Sequence, residues 1–414
     1  MHISEKLGKN KLDFFLIILI IFLPISLLTG SLVVNFCVIL IDILFLYKLY
    51  IEKNFNYLNN KYFFALVLFW LYLLFNLFFS ININESLSRS IGFIRYVLLP
   101  FVINYYLFHK TIKFKNIILN SWTIIFLFVS LDLIFEFIFG YNLLGFKSEF
   151  EGRLSSFLND ELKIGHFYSA FILLSLVNIN RILEKNSENF KKFLNIENLF
   201  YLIFVLSIFI SFIIGERSNF TKVFLMSSVF IFFIRQKNFL KKIISLVLIV
   251  SIFLIIIFNN IHFKHRVWDE FLGPLFKNPI KLVFNSKYGS HYKVAIEVFN
   301  NNKLYGVGLK NYRNEVSTNA YKQNTSISIH PHQTHFEILT ELGLLGYILF
   351  ITIFIFLILN SAKLFFSKRD EIHLCGLLFV IATLIPLIPS GSFFTTYGAT
   401  LFWLNFSFIL PRKN

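Results

Sequence analysis

Three histidines fall within one short run, His330-Pro331-His332-Gln333-Thr334-His335, and two glutamates follow at Glu337 and Glu341. Imidazole is the side chain that exchanges a proton near neutral pH. Thr334, three residues before Glu337, reads as a capping box. A helix is therefore expected to begin near His335, with Phe336, Leu339, Leu342 and Leu345 at helical spacing. His330 and His332 then precede that helix, where its positive dipole end disfavours a charged ring. A ring kept neutral is what a general base needs. Glu337 reads as the cap. Glu341, one turn on, reads as an orienting partner or a helix-surface charge. A metal site built from His330, His332 and His335 competes with this reading. The intervening proline and the uneven spacing fit poorly with ligands on one helix face.

Cations elsewhere form a second set. Arg217 lies in Gly215-Glu216-Arg217-Ser218-Asn219, a tight turn between two apolar runs. A guanidinium there would hold a phosphate through paired hydrogen bonds; the plainer reading is a solvated turn charge or a partner for Glu216. Arg95 sits inside an apolar run, where a charge is costly and functional by default. It is expected either in a lipid-phosphate pocket or in an ion pair with Asp132 and Glu136, which are one turn apart on the next run. Arg153 opens the segment Arg153-Leu154-Ser155-Ser156, followed by Asp160 and Glu161, which would orient a sugar or pair with Lys163. Arg313 follows Gly306-Val307-Gly308, whose glycines would admit a ligand close to the backbone. Arg313 and Lys310 are then candidate phosphate contacts, or ordinary loop charges. His291 and Tyr292 close a polar and aromatic run, Ser286 to Tyr292, about fifteen residues before those glycines.

The elements that must position these residues are helices in a membrane. Hydrophobic residues make up 56% of the 414 positions and aromatic residues 19%, with a mean hydropathy of +0.69. The apolar residues come in blocks of about twenty, the length a bilayer demands. About twelve spans are expected, at 12–29, 32–50, 62–80, 90–108, 118–140, 164–180, 198–214, 219–234, 241–258, 341–361, 372–389 and 394–411. The net charge of +16 is attributed mainly to Lys and Arg flanking spans on the cytoplasmic side, with both termini inside. No basic stretch builds a soluble domain, so a nucleic-acid partner is not expected. Cys37 and Cys375 both fall in apolar runs and suggest no disulfide framework. The first apolar run lacks the exit of a cleaved signal. The chain divides into spans 1–9 (1–258), a large, partly helical outer loop (259–335) and spans 10–12 (336–414). A connection as long as that loop is usually functional.

The stretch His-Pro-His-Gln-x-x-x-Glu-x-x-x-Glu-x-Gly-x-x-Gly, from His330 to Gly346, resembles the hallmark of the O-antigen ligase and polymerase family. The Arg217-Ser218 turn, the Gly306-x-Gly308 loop leading to Tyr312, and the Arg153 segment resemble further family motifs. Ser156 stands where that segment carries glycine, and Gln333 where the family carries asparagine. The resemblance implies an all-α, GT-C-like polytopic protein of the bacterial inner membrane, with its site at the periplasmic face. It implies a metal-independent, inverting glycosyltransferase without a cofactor. The implied donor is an undecaprenyl-diphosphate-linked glycan and the acceptor a lipid A-core oligosaccharide, or a second lipid-linked repeat in the polymerase alternative. It makes His332 the favoured base and His330 the runner-up, with Arg217 and Arg313 stabilising the departing diphosphate. Arg95, Arg153, Lys310, His291, Gln333 and Glu341 become candidate substrate contacts. A lipid-linked sugar transporter or flippase would also explain many helices and intramembrane charge, but it would not need a histidine-bearing loop, and no internal duplication is visible. All of this requires Arg217 and His332 to meet in one cavity.

Overall fold

The computed structural model describes residues 2–158, 161–185, 195–234, 238–259, 261, 264–278, 284, 286–318, 321 and 328–411. Asp160 lies outside them, as do Lys191, Lys192, Arg235, Lys237, Arg412 and Lys413, six of the basic residues that flank the apolar runs. The described residues are helical and contain no strand. In order they form α1 (His2–Thr29), α2 (Ser31–Glu52), α3 (Lys61–Phe75), α4 (Ile83–Gly92), α5 (Ile94–Asn104), α6 (Ile112–Phe139), α7 (Ile164–Lys185), α8 (Ile196–Ile213), α9 (Arg217–Phe233) and α10 (Phe239–Asn259). The loop between α10 and the next long helix carries α11 (Gly273–Lys277), α12 (Lys287–Asn301) and α13 (Tyr312–Val316). The chain then enters α14 (Thr334–Lys368), α15 (Glu371–Thr383) and α16 (Thr396–Phe406).

Among the described residues, nine helical stretches are long and apolar enough to cross a bilayer. The protein is an all-helical, polytopic membrane protein. The other three expected spans appear as the shorter helices α9, α15 and α16. Large apolar side chains such as Leu32, Phe36, Phe78 and Ile124 are more than half exposed. An outer surface of this kind suits hydrocarbon, where helices satisfy their own backbone groups. Cys37 and Cys375 are buried free thiols.

Two departures from regular helix shape the loop end of the bundle. The first lies inside α14, which breaks at Gly343 (φ 68°, ψ −172°). A break leaves backbone groups without helical partners, and residues 303–308 supply replacements. The N–H groups of Val307 and Gly308 donate to the carbonyls of Thr340 (2.9 Å) and Glu341 (2.8 Å), while Leu344 N–H donates to Lys303 O (2.8 Å). Tyr72 Oη donates to Leu342 O at 2.8 Å. A Cβ on Gly343 would lie 2.3 Å from Leu304 O, and one on Gly306 2.6 Å from Thr340 O. The glycines at 306 and 343 thus let two backbones cross; Gly306 serves the protein's own helix rather than a ligand. Gly346 abuts Tyr72 instead, in the close packing expected of a small residue.

The second departure is the irregular segment from Leu384 to Thr395, between α15 and α16. Pro386 and Pro389 cannot donate to a helix, so the span expected at 372–389 ends in an irregular, turn-rich connection, called the hairpin below. Glu337 holds that hairpin: its carboxylate accepts from Phe393 N–H at 2.7 Å and from Ser392 Oγ. The expected capping box is therefore not formed. Gln333 is the N-cap instead, with Oε1 accepting from Phe336 N–H at 3.0 Å. Glu337 has the stronger claim on the hairpin's buried donors, which have no helical acceptor.

Candidate functional site

His332 stands immediately before the cap of α14 with a left-handed backbone (φ 56°), uncommon for a residue with a side chain. Ser390 of the hairpin holds it there, donating N–H to His332 O at 2.8 Å. The Nε2 atom lies 2.9 Å from Ser328 Oγ. The His330 ring sits 3.9 Å from that of His332, centroid to centroid, and the His291 ring 5.0 Å away. Burial, with the nearby His291 and Arg313, pushes His330 down to about 4, so its ring is neutral at physiological pH. His335 turns away, with Nε2 2.8 Å from Leu384 O and Nδ1 3.2 Å from Tyr347 Oη. The three histidines of the stretch do not converge on one point, as a shared metal ion would require.

The cationic wall comes from another part of the chain. Gly215 adopts φ 79°, and a Cβ there would sit 2.2 Å from Gly152 O. Leu154 N–H donates to Ile214 O at 3.1 Å, so the segment carrying Arg153 is laced to the turn carrying Arg217. Asp132 and Glu136 of α6 fix that segment from below. Asp132 accepts from Leu143 N–H at 2.8 Å and from Ser156 Oγ. Glu136 accepts from the N–H groups of Ser155 (3.0 Å) and Ser156 (2.7 Å). Ser156 has φ 49°, the region where glycine is at ease; its hydroxyl bond to Asp132 offsets that strain.

Glu216 is buried beside Arg217. Its carboxylate accepts from Gly165 N–H at 3.1 Å and from the Asn219 amide. Burial raises its proton affinity, against the pull of those donors and Arg153. Arg217 pairs with Glu270, in the loop between α10 and α14, at 3.0 Å rather than with Glu216. Glu270 in turn lies 3.5 Å from His265 Nδ1.

These pieces close around one cavity of about 570 Å³. Arg153, Lys163, Arg217, Glu216 and Glu270 line it together with His330, His332, Ser286, Tyr288 and Tyr292. The hairpin residues Pro386 to Gly391 add a largely apolar wall. Arg217 and His332 therefore share a cavity.

Other expected contacts lie elsewhere. Arg313 does not line this cavity; its charge reaches His330 and its Nε is buried without a hydrogen bond. Lys310 is paired with Glu85 at 2.6 Å, away from the cavity. Glu341 is buried against the same loop and takes the Lys310 N–H. Gln333 is buried in its capping role. His291 is 4% exposed, packed behind His332.

Arg95 lies over the Tyr96 ring at 4.7 Å, and its charge bears on buried Asp42 of α2. The alternative pairing with Asp132 and Glu136 is ruled out because both carboxylates hold the 143–156 segment. Glu161 pairs with Lys163 at 2.7 Å. Glu270, Ser286, Tyr288, His166 and the hairpin escaped the sequence reading. The two prolines of the hairpin, within an apolar run, were the available signal.

The described residues thus form a helical membrane protein in which cations and histidines line one cavity. Residues 202–351 match the family model for O-antigen ligase, a stretch running from α8 into α14 that includes Arg217, Arg313 and the histidines. That stretch is therefore similar to the O-antigen ligase and polymerase family, whose members are glycosyltransferase-like enzymes acting on lipid-linked glycans. No curated protein matches the chain significantly.

Proposed function

We propose that the protein transfers a glycan from undecaprenyl diphosphate to a hydroxyl of a lipid A-core acceptor at the periplasmic face of the bacterial inner membrane. The observation that carries this is the shared cavity of Arg217, Arg153, His330 and His332. The acceptor oxygen bonds to the anomeric carbon as the bond from that carbon to the diphosphate oxygen breaks. The electron pair leaves with the diphosphate, and the proton passes to His332. Attack opposite the leaving group inverts the centre. Arg217 and Arg153 meet the charge that develops on the diphosphate, as cations fixed where negative charge appears. Arg313 acts from behind: its charge keeps His330 neutral beside the base. Lys310, Glu341 and Gln333 support the loop and helix that carry the site, and Arg95, half-buried over Tyr96, serves helix packing. No step requires a metal ion or cofactor.

The test is purified protein in detergent or nanodiscs, given a lipid-diphosphate glycan donor and either lipid A-core or a second lipid-linked repeat, with and without chelator. Product on lipid A-core that survives chelation and is lost in Arg217→Ala and His332→Ala supports the reading. Chain extension on the second repeat assigns a polymerase. Transport of the donor without linkage, unchanged in His332→Ala, defeats glycan transfer altogether.

A further inference from the structure

The cavity is lined by residues at the start of α12 as well as by the cations suited to a diphosphate. Tyr288 lines it, with its ring 5.7 Å from the His332 ring at 68° and 6.3 Å from that of His291. Its hydroxyl makes no hydrogen bond among the described residues, unlike Tyr292 Oη, which donates to Leu387 O at 3.3 Å. Ser286 lines the cavity beside it and caps α12, its Oγ accepting from Gly289 N–H at 3.1 Å. A partly exposed phenol ring with an unoccupied hydroxyl, flanking an imidazole, offers an apolar face and a polar tip together. That pairing suits a pyranose ring, whose C–H face packs on an aromatic ring while its hydroxyls seek polar groups.

We infer that Tyr288, with Ser286 beside it, forms the acceptor subsite: its ring packs on the acceptor sugar and its hydroxyl orients the sugar for His332. This rests on the glycan-transfer reading. The diphosphate belongs with Arg217 and Arg153, and the attacking hydroxyl must reach His332. The ring that flanks His332 in the same cavity is therefore placed to meet the acceptor.

The experiment compares wild type, Tyr288→Phe and Tyr288→Ala in two assays. In steady-state transfer, Tyr288→Ala is expected to raise the acceptor KM about tenfold and Tyr288→Phe about threefold, with the donor KM unchanged. In a titration without donor, a delipidated core oligosaccharide is expected to bind wild type more tightly than Tyr288→Ala by a similar factor. Equal binding of that oligosaccharide to both proteins overturns the subsite. So does a donor KM that rises as much as the acceptor KM. If wild type transfers to no acceptor, the transfer reading fails by itself, while the titration still decides whether Tyr288 contacts a sugar. Tyr288 is only partly buried, so the variants should melt with wild type; a Tyr288→Ala protein that melts early is replaced by Tyr288→Leu in the same assays.

Discussion

Glu270→Gln should make the protein bind a diphosphate more tightly. In the absence of substrate, the Glu270 carboxylate sits 3.0 Å from Arg217, where an incoming phosphate oxygen would compete for the same guanidinium. Both side chains are more than a third exposed, so the pair contributes only about 0.2–1 kcal/mol. Removing a unit negative charge from the cavity adds a few tenths of a kcal/mol for each phosphate charge. Together these amount to roughly 1 kcal/mol, about a fivefold gain in affinity. The assay is a titration of undecaprenyl diphosphate, or a shorter prenyl diphosphate, into detergent-solubilised wild type and Glu270→Gln. The gain should shrink in high salt, where screening acts over about 3 Å at 1 M. Arg217→Ala should bind weakly whether or not Glu270 is replaced. Weaker binding by Glu270→Gln alone would refute the competition, because Glu270 would then be holding Arg217 in its binding pose.

Three further outcomes follow from the geometry. Gly343→Ala forces a side chain into a left-handed position and onto Leu304 O, so unfolding should shift by more than about 2 kcal/mol; a detergent melt close to wild type would contradict the backbone crossing. Asp132→Asn leaves either Ser156 or Leu143 short of an acceptor, at a cost of about 1–3 kcal/mol, and should lower both the melting temperature and transfer, through Arg153; unchanged activity would show that Arg153 keeps its place unaided. The pH dependence comes from His330, whose folded value of about 4 lies below its ordinary value near 6.5. The unfolded chain binds the extra proton first, so this contribution to stability is complete above pH 6.5 and is lost as pH falls toward 4. Melts across that range should show the loss in wild type and less of it in His330→Gln; equal losses in both would exclude His330 as its source.

The most legible part of the fold was the change of character at His330 to Gly346, because a polar run leading into helical apolar spacing has a purely local cause. Residue 217 was legible for the same reason, as a charged turn between two apolar runs. The cap was not, since Gln333 and Glu337 divide the work according to a hairpin at 384–395 that no local pattern announces. Lys310 and Arg313 read as phosphate contacts because glycines preceded them. Those glycines answer to a helix break beyond residue 340, and the loop they shape faces α4. Glu270 reaches Arg217 across a sequence separation of 53, and a single sequence carries no signal that pairs two charges so far apart.

The crossing at Gly343 has a consequence for anyone wishing to study the outer loop in isolation. Residues 303–308 make backbone hydrogen bonds to α14 itself, so the segment is closer to a mortised joint than to a tethered lid. A fragment excised between α10 and α14 would present those amides and carbonyls to water and lose the partner that shapes them. Inhibitors and antibodies against this region are better sought with the whole protein in a lipid environment than with a soluble excerpt.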